Sequence, residues 1–178
     1  MSGADGTGSD LLDLLAADHR RIRRLVAEDA DVPTLRRELS AHLVAEAHLL
    51  YPEARRSVYS VDQLVDDLLD ADHVLEEALV DLDRHDEAAA RGRVQELAVR
   101  HVDRQEDELF PRLRADADPR RLVALGDALG EVVSQAPSHA HPNLPDEGSL
   151  SVIADALAAR FDELRDAYRE GREGKDGE

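Results

Sequence analysis

Leu12, Leu15, Ile22 and Val26 recur at the three- and four-residue spacing of one helix face, and they define the first of six helical stretches. This stretch is expected over residues 11–28, with Ser9 or Asp10 as its N-cap. A second opens at Pro33, a favoured early helical residue, and carries Leu35, Leu39, Leu43, Leu49 and Leu50 as far as Pro52, where the pattern predicts its end. The third covers residues 61–84, with Leu64, Leu68, Leu75, Leu79 and Leu82 on one stripe. The fourth covers residues 86–113, with Val94, Leu97, Ala98, Val102 and Leu109 inward and a kink expected at Pro111. Asp118 and Pro119 open a fifth that reaches about residue 135. Pro137, Pro142 and Pro145 make residues 136–148 a non-helical loop, and Ser149 caps a last helix to about residue 169.

Four long amphipathic helices with short connections predict an all-α, up-and-down four-helix bundle, with two additional C-terminal helices. The chain divides into a flexible N-terminus over residues 1–9 and a bundle over 10–115. C-terminal helices joined by the Pro-rich loop and packed on the bundle cover 116–170, and a flexible tail covers 171–178. A length of 178 residues fits one domain with a substantial core.

Composition narrows the chemistry. Hydrophobic residues make up 42% of the chain and aromatic ones only 3%, so the core is aliphatic, as suits packed helices. The formal net charge of -18 repels phosphate backbones and anionic lipid alike, and neither nucleic acid nor membrane is an expected partner. Without any Cys, thiolate metal sites, disulfides and cysteine nucleophiles are excluded, and a metal must be held by His, carboxylate or Tyr. Residues 1–10 have neither a basic nor an apolar leader segment, and no apolar run has the length of a membrane span, so a cytoplasmic protein is expected. Gly-rich phosphate loops and a G-x-S-x-G elbow are absent.

Ionisable residues on apolar faces are the informative ones, because there each must be paired or bound. His19 falls between Leu15 and Val26. Leu35, Leu39, His42, Glu46 and Leu49 advance by four, three, four and three, which stacks an imidazole and a carboxylate at the centre of a buried seam. His101 shares the inward phase of Val94, Ala98, Val102 and Leu109; Gln105 follows one turn on, with Glu106 nearer the edge and Glu108 inward another turn down. On the third helix Asp72 faces the core, His73 lies at its margin and Glu76 is close to the stripe. Burying this many polar groups together without a ligand is costly, which points to a metal. His48 and His85 read as surface residues.

Asp18-His19-Arg20-Arg21-Ile22, then His42-x3-Glu46 running into Leu50-Tyr51-Pro52, then His101 running into Leu109-Phe110-Pro111, resemble the hemerythrin-type (HHE cation-binding) pattern over about residues 10–115. The resemblance implies a four-helix bundle around a non-haem di-iron centre built from His19, His42, Glu46 and His101. Two positions depart from it. Asp72 stands at the third-helix His position, with His73 beside it, and Gln105 stands where a second Glu is expected, with Glu106 one residue on. Asp72, His73 and Glu106 are therefore further candidate metal ligands, and the His139-x-His141-Pro142 loop also matches many bacterial members.

The function so implied is binding of, or reaction with, O2, peroxide or nitric oxide, with detoxification of peroxide or nitric oxide as its enzymatic form. A metal-depleted regulatory or protein-interaction bundle is the alternative, and Asp72 and Gln105 argue for it. Ferritin-type storage needs inward Glu-x-x-His pairs, which the chain lacks.

Overall fold

The amphipathic stretches are helices in the computed structural model, which describes residues 9–85 and 87–135, with side chains as far as Gly130. No strand occurs among the described residues. Helix α1 spans Leu11–Ala27, and its N-cap Asp10 accepts the Asp13 amide hydrogen at 2.9 Å, which satisfies a donor that a helix start leaves open. Helix α2 spans Val32–Ala45 and is capped in the same way by Asp31, through the Thr34 amide at 2.9 Å. A π turn, Glu46–Leu50, joins it to α3, Tyr51–Ser57. Helix α4 spans Asp62–His85 and α5 spans Ala88–Arg104; a second π turn, Gln105–Leu109, leads into α6, Phe110–Asp116, and α7 covers Pro119–Gln135.

The first π turn corrects the sequence reading, which ends the second helix at Pro52; the fourth is expected to run past Pro111 to about residue 113. Both helices continue past the proline. A proline lacks the N–H of the helical ladder, and its ring crowds the carbonyl four residues back. Just before each proline the turn widens by one residue: the Tyr51 amide donates to the Glu46 carbonyl and the Phe110 amide to the Gln105 carbonyl, five residues back. The wider turn also resets the phase of the residues downstream of it. Tyr51 and Phe110 come one turn after Glu46 and Gln105, and both are buried.

Four arms, α1, α2–α3, α4 and α5–α6, pack in a ring, each against the next. Ion pairs at their ends fix their directions. Arg91, early in α5, donates to the Ala30 carbonyl after the end of α1 at 2.9 Å, while Arg114 in α6 pairs with Asp10 and Asp13 at the start of α1. Arg36 early in α2 meets Asp83 late in α4 at 3.1 Å, and Arg55 in α3 meets Asp66 early in α4 at 2.6 Å. Neighbouring arms are thus antiparallel.

The core is two aliphatic clusters with a polar layer between them. Leu11, Leu12, Leu15, Leu49, Leu50, Leu68, Leu109 and Leu113 fill one end. Ile22, Leu35, Leu39, Leu43, Leu75, Leu79, Leu82 and Val94 fill the other. Each fully buried side chain of this kind stabilises the fold by roughly 1.5–3 kcal/mol. Helix α7 lies along α1 and adds Leu122, Leu125 and Leu129 to the first cluster. It approaches closely because residue 126 is glycine: a Cβ there would stand 2.4 Å from the Ser9 carbonyl oxygen. No helix among the described residues is long and apolar enough to cross a membrane.

Glu53 in α3 is buried at the edge of this end. It accepts from the Ser57 hydroxyl at 2.6 Å, from Arg121 of α7 at 2.8 Å and from Arg56. Burial pushes its carboxyl upward, but these donors outweigh burial and hold it below the usual glutamate value. A depressed carboxyl contributes stability that is present above about pH 4.5 and lost as pH falls through the folded value. Glu53→Gln should cost about 1–3 kcal/mol at pH 7, and the loss should shrink toward pH 3; urea titrations at both values test this, and an equal loss at both would rule out the ionic contribution.

Candidate metal centre

The layer between the aliphatic clusters is built from α1, the two π-turn arms and α4. His19 sits between Leu15 and Ile22, and His42 and Glu46 between Leu39 and Leu49. Asp72 lies between Leu68 and Leu75, while His101 and Gln105 close the end of α5. All six are buried, the most accessible of them being 5% exposed. Glu46 is at the centre. Its Oε1 lies 2.7 Å from His42 Nε2 and 3.6 Å from His19 Nε2, and its Oε2 lies 2.9 Å from His101 Nε2.

Behind each imidazole is a further carboxylate. Glu106 Oε1 stands 2.8 Å from His19 Nδ1, Asp18 Oδ2 stands 2.8 Å from His42 Nδ1, and Asp72 Oδ1 stands 3.0 Å from His101 Nδ1. An ionised carboxylate only accepts, so Nδ1 of His19 and of His42 carries a proton and donates it outward, and Nε2 is the nitrogen turned to Glu46. Arginines back two of these carboxylates: Arg21 pairs with Asp18, and Arg23 contacts Glu106 at 3.1 Å. Phe110 stacks on His19 with ring centroids 5.4 Å apart.

Tyr51 closes the layer on the Asp72 side. Its hydroxyl donates to Asp72 Oδ2 at 2.8 Å and accepts from the Gln105 amide at 3.0 Å. Burial together with the charges of Glu46 and Asp72 pushes this phenol far above its ordinary value, so it stays neutral.

Several ligand-type atoms here are buried with no hydrogen-bond partner: Nε2 of His19 and His42, Oε1 of Glu46, Oδ1 of Asp72, Nδ1 of His101 and Oε1 of Gln105. His42 Nε2 and Glu46 Oε1 are 2.7 Å apart without forming an aligned hydrogen bond. They point past each other, as two ligands of one ion do. Two groups, His19–His42–Glu46 and Glu46–Asp72–His101, each offer three ligand atoms within 4.8 Å of one another. Imidazole nitrogen and carboxylate oxygen suit iron and similar divalent metals, so the residues present fit such an ion.

Of the candidates named from the sequence, His19, His42, Glu46, Asp72 and His101 meet in one cluster. His73 does not; it is exposed on α4, lining a surface hollow with Glu76 and Glu77. Glu106 reaches the cluster from behind, through His19 Nδ1. Glu108, expected inward, is exposed, because the π turn shifts the phase after Gln105. Glu76 and His85 are exposed and His48 is half-buried. Asp18 has a role the helical pattern does not reveal, since it depends on α1 and α2 lying antiparallel; its one signal is that it adjoins an inward histidine. His139 and His141 lie outside the described residues.

In the absence of metal the cluster holds protons instead. Burial pushes the imidazole of His42 down, but Glu46 and Asp18 outweigh it and raise the value to about 9. His101 is raised to about 10 against its burial by Glu46 and Asp72. Burial raises Glu46, yet His42 and His101 hold it well below the carboxylate range. Raised imidazoles contribute stability that is fully present below the unfolded value near 6.5 and lost as pH climbs through 9 and 10. The urea midpoint of metal-free protein should therefore fall from pH 7 to pH 10, and fall less in His42→Gln; flat midpoints would show that the cluster is not ionised. Compared with protein-family models, curated proteins and solved structures, the chain matches none.

Proposed function

We propose that this chain is a hemerythrin-type non-haem iron protein, an up-and-down four-helix bundle that holds iron in its buried polar layer and offers it to O2, peroxide or nitric oxide. The observation that carries this reading is the convergence of three buried, partnerless ligand atoms, His19 Nε2, His42 Nε2 and Glu46 Oε1. Each buried polar atom left unsatisfied costs about 1–3 kcal/mol, and a bound cation removes that cost. The carboxylates behind the imidazoles add support, because a metal-bound histidine normally donates its other N–H to such a group.

Iron, when bound, supplies redox and small-ligand chemistry that none of these side chains has. The chain's own residues do the rest. Asp18 and Glu106 fix the rings of His42 and His19 and keep their protons on Nδ1. Phe110 covers His19, and the leucine clusters on both sides of the layer exclude water and favour a ligand of very few atoms. In a di-iron centre, as the resemblance implies, Glu46 would bridge and the second ion would use Asp72 and His101. Reduction of peroxide or nitric oxide is the enzymatic form of the same chemistry.

The metal-depleted regulatory bundle is favoured by one feature, the neutral Gln105 among the candidate ligands. Anaerobic loading with Fe2+, desalting and elemental analysis separate the two. Retained iron, with a near-ultraviolet band that appears on exposure to air, is expected; protein that retains none would sink the iron reading and leave the regulatory one. Asp18→Asn and Glu106→Gln should each weaken iron binding by about 10–100-fold in chelator competition, with helicity unchanged. Unaltered affinity in both would remove their orienting role.

A further inference from the structure

The two halves of the polar layer are not equivalent. In the half formed by His19, His42 and Glu46, the groups that orient the imidazoles, Glu106 and Asp18, are separate from the carboxylate that faces the Nε2 atoms. Both orienting carboxylates have a matching arginine, Arg23 and Arg21. That half is prepared for a cation.

The half around His101 lacks this division. Glu46 Oε2 accepts a hydrogen bond at His101 Nε2, 2.9 Å away, and Asp72 stands at the ring's other nitrogen. The nitrogen turned to the centre is thus engaged by Glu46 itself, and only Nδ1 is left for an ion. Glu46 would have to orient His101 and bind that ion at once, while one oxygen of Asp72 is taken by Tyr51. The position matching Glu46 on the other arm, four residues after the histidine and opening the π turn, holds Gln105, whose amide brings no charge and donates to Tyr51.

Charge points the same way. Asp18 and Glu106 are partly exposed and pair with arginines, which leaves Glu46 and Asp72 as the two buried carboxylates of the layer to be balanced when the imidazoles are neutral. One divalent ion neutralises them. A second would leave two positive charges in an aliphatic interior, where unbalanced charge is strongly disfavoured.

We propose that this chain binds one divalent metal ion, at His19, His42 and Glu46, and that Asp72, His101, Gln105 and Tyr51 form a hydrogen-bonded wall facing it in place of a second metal site. This rests on the metal-centre reading above. The asymmetry leaves the ion without a second metal beside it, so a small ligand would meet a single metal facing the neutral Tyr51 and Gln105.

The test is metal stoichiometry of the full-length protein, titrated anaerobically with Fe2+ and, separately, with Mn2+ read by electron paramagnetic resonance. One ion per chain, with the Mn2+ signal of an isolated ion, is expected. Two ions per chain, or a Mn2+ signal broadened by coupling, would overturn the single-ion proposal and leave the iron reading standing; no bound metal would remove both. Gln105→Glu restores a carboxylate to the second half and should double the stoichiometry, with circular dichroism verifying its fold. A folded variant that still binds one ion would overturn the assignment of Gln105 as the residue that closes the second half.

Discussion

A carboxylate with no solvent exposure lies at the middle of this protein, and much of the structure is arranged around it. Glu46 cannot be solvated, so its charge is met by imidazoles from three helices. Those imidazoles need acceptors of their own, and the acceptors need cations. Charges therefore alternate outward along two lines, from Glu46 through His19 and Glu106 to Arg23, and from Glu46 through His42 and Asp18 to Arg21. Each line ends at the surface, where water screens what remains.

Stability and specificity are supplied by different parts. The leucine clusters supply most of the burial but are poor at specifying register, since one leucine face packs about as well as another. The polar layer is unforgiving: if α1 slipped by a turn against α2, His19 and His42 would lose Glu106, Asp18 and Glu46 together. A half-satisfied network of this kind is worse than none, so the layer fixes which turns of the four arms face each other.

Much of this was legible in the chain's hydrophobic period. His19, His42, Glu46, Asp72, His101 and Gln105 all have the phase of neighbouring leucines, and a regular helix is enough to put them inside. The period stops helping at the π turns. One added residue per turn brings Tyr51 and Phe110 inward and leaves Glu108 outside, and nothing in a 100° count signals that except the proline just beyond. Relations between helices were also hidden. Asp18 faces His42 and Glu106 faces His19 only once the arms are antiparallel and in register, and Glu53 is buried because α7 brings Arg121 to it. His73 against Asp72 was a choice between neighbours about 100° apart, and the leucine stripe of α4 favours Asp72.

Helix α7 ties these features to folding behaviour. Its leucines belong to the same cluster as Leu11, Leu12 and Leu15, and Gly126 lets its backbone touch the first turn of α1. That first turn leads directly to His19. Helix α7 therefore cannot fray as an independent appendage: detaching it uncovers the leading end of α1 and loosens the helix that supplies one of the central imidazoles. Opening of α7 is thus coupled to opening of the first turn of α1 through the leucines they share.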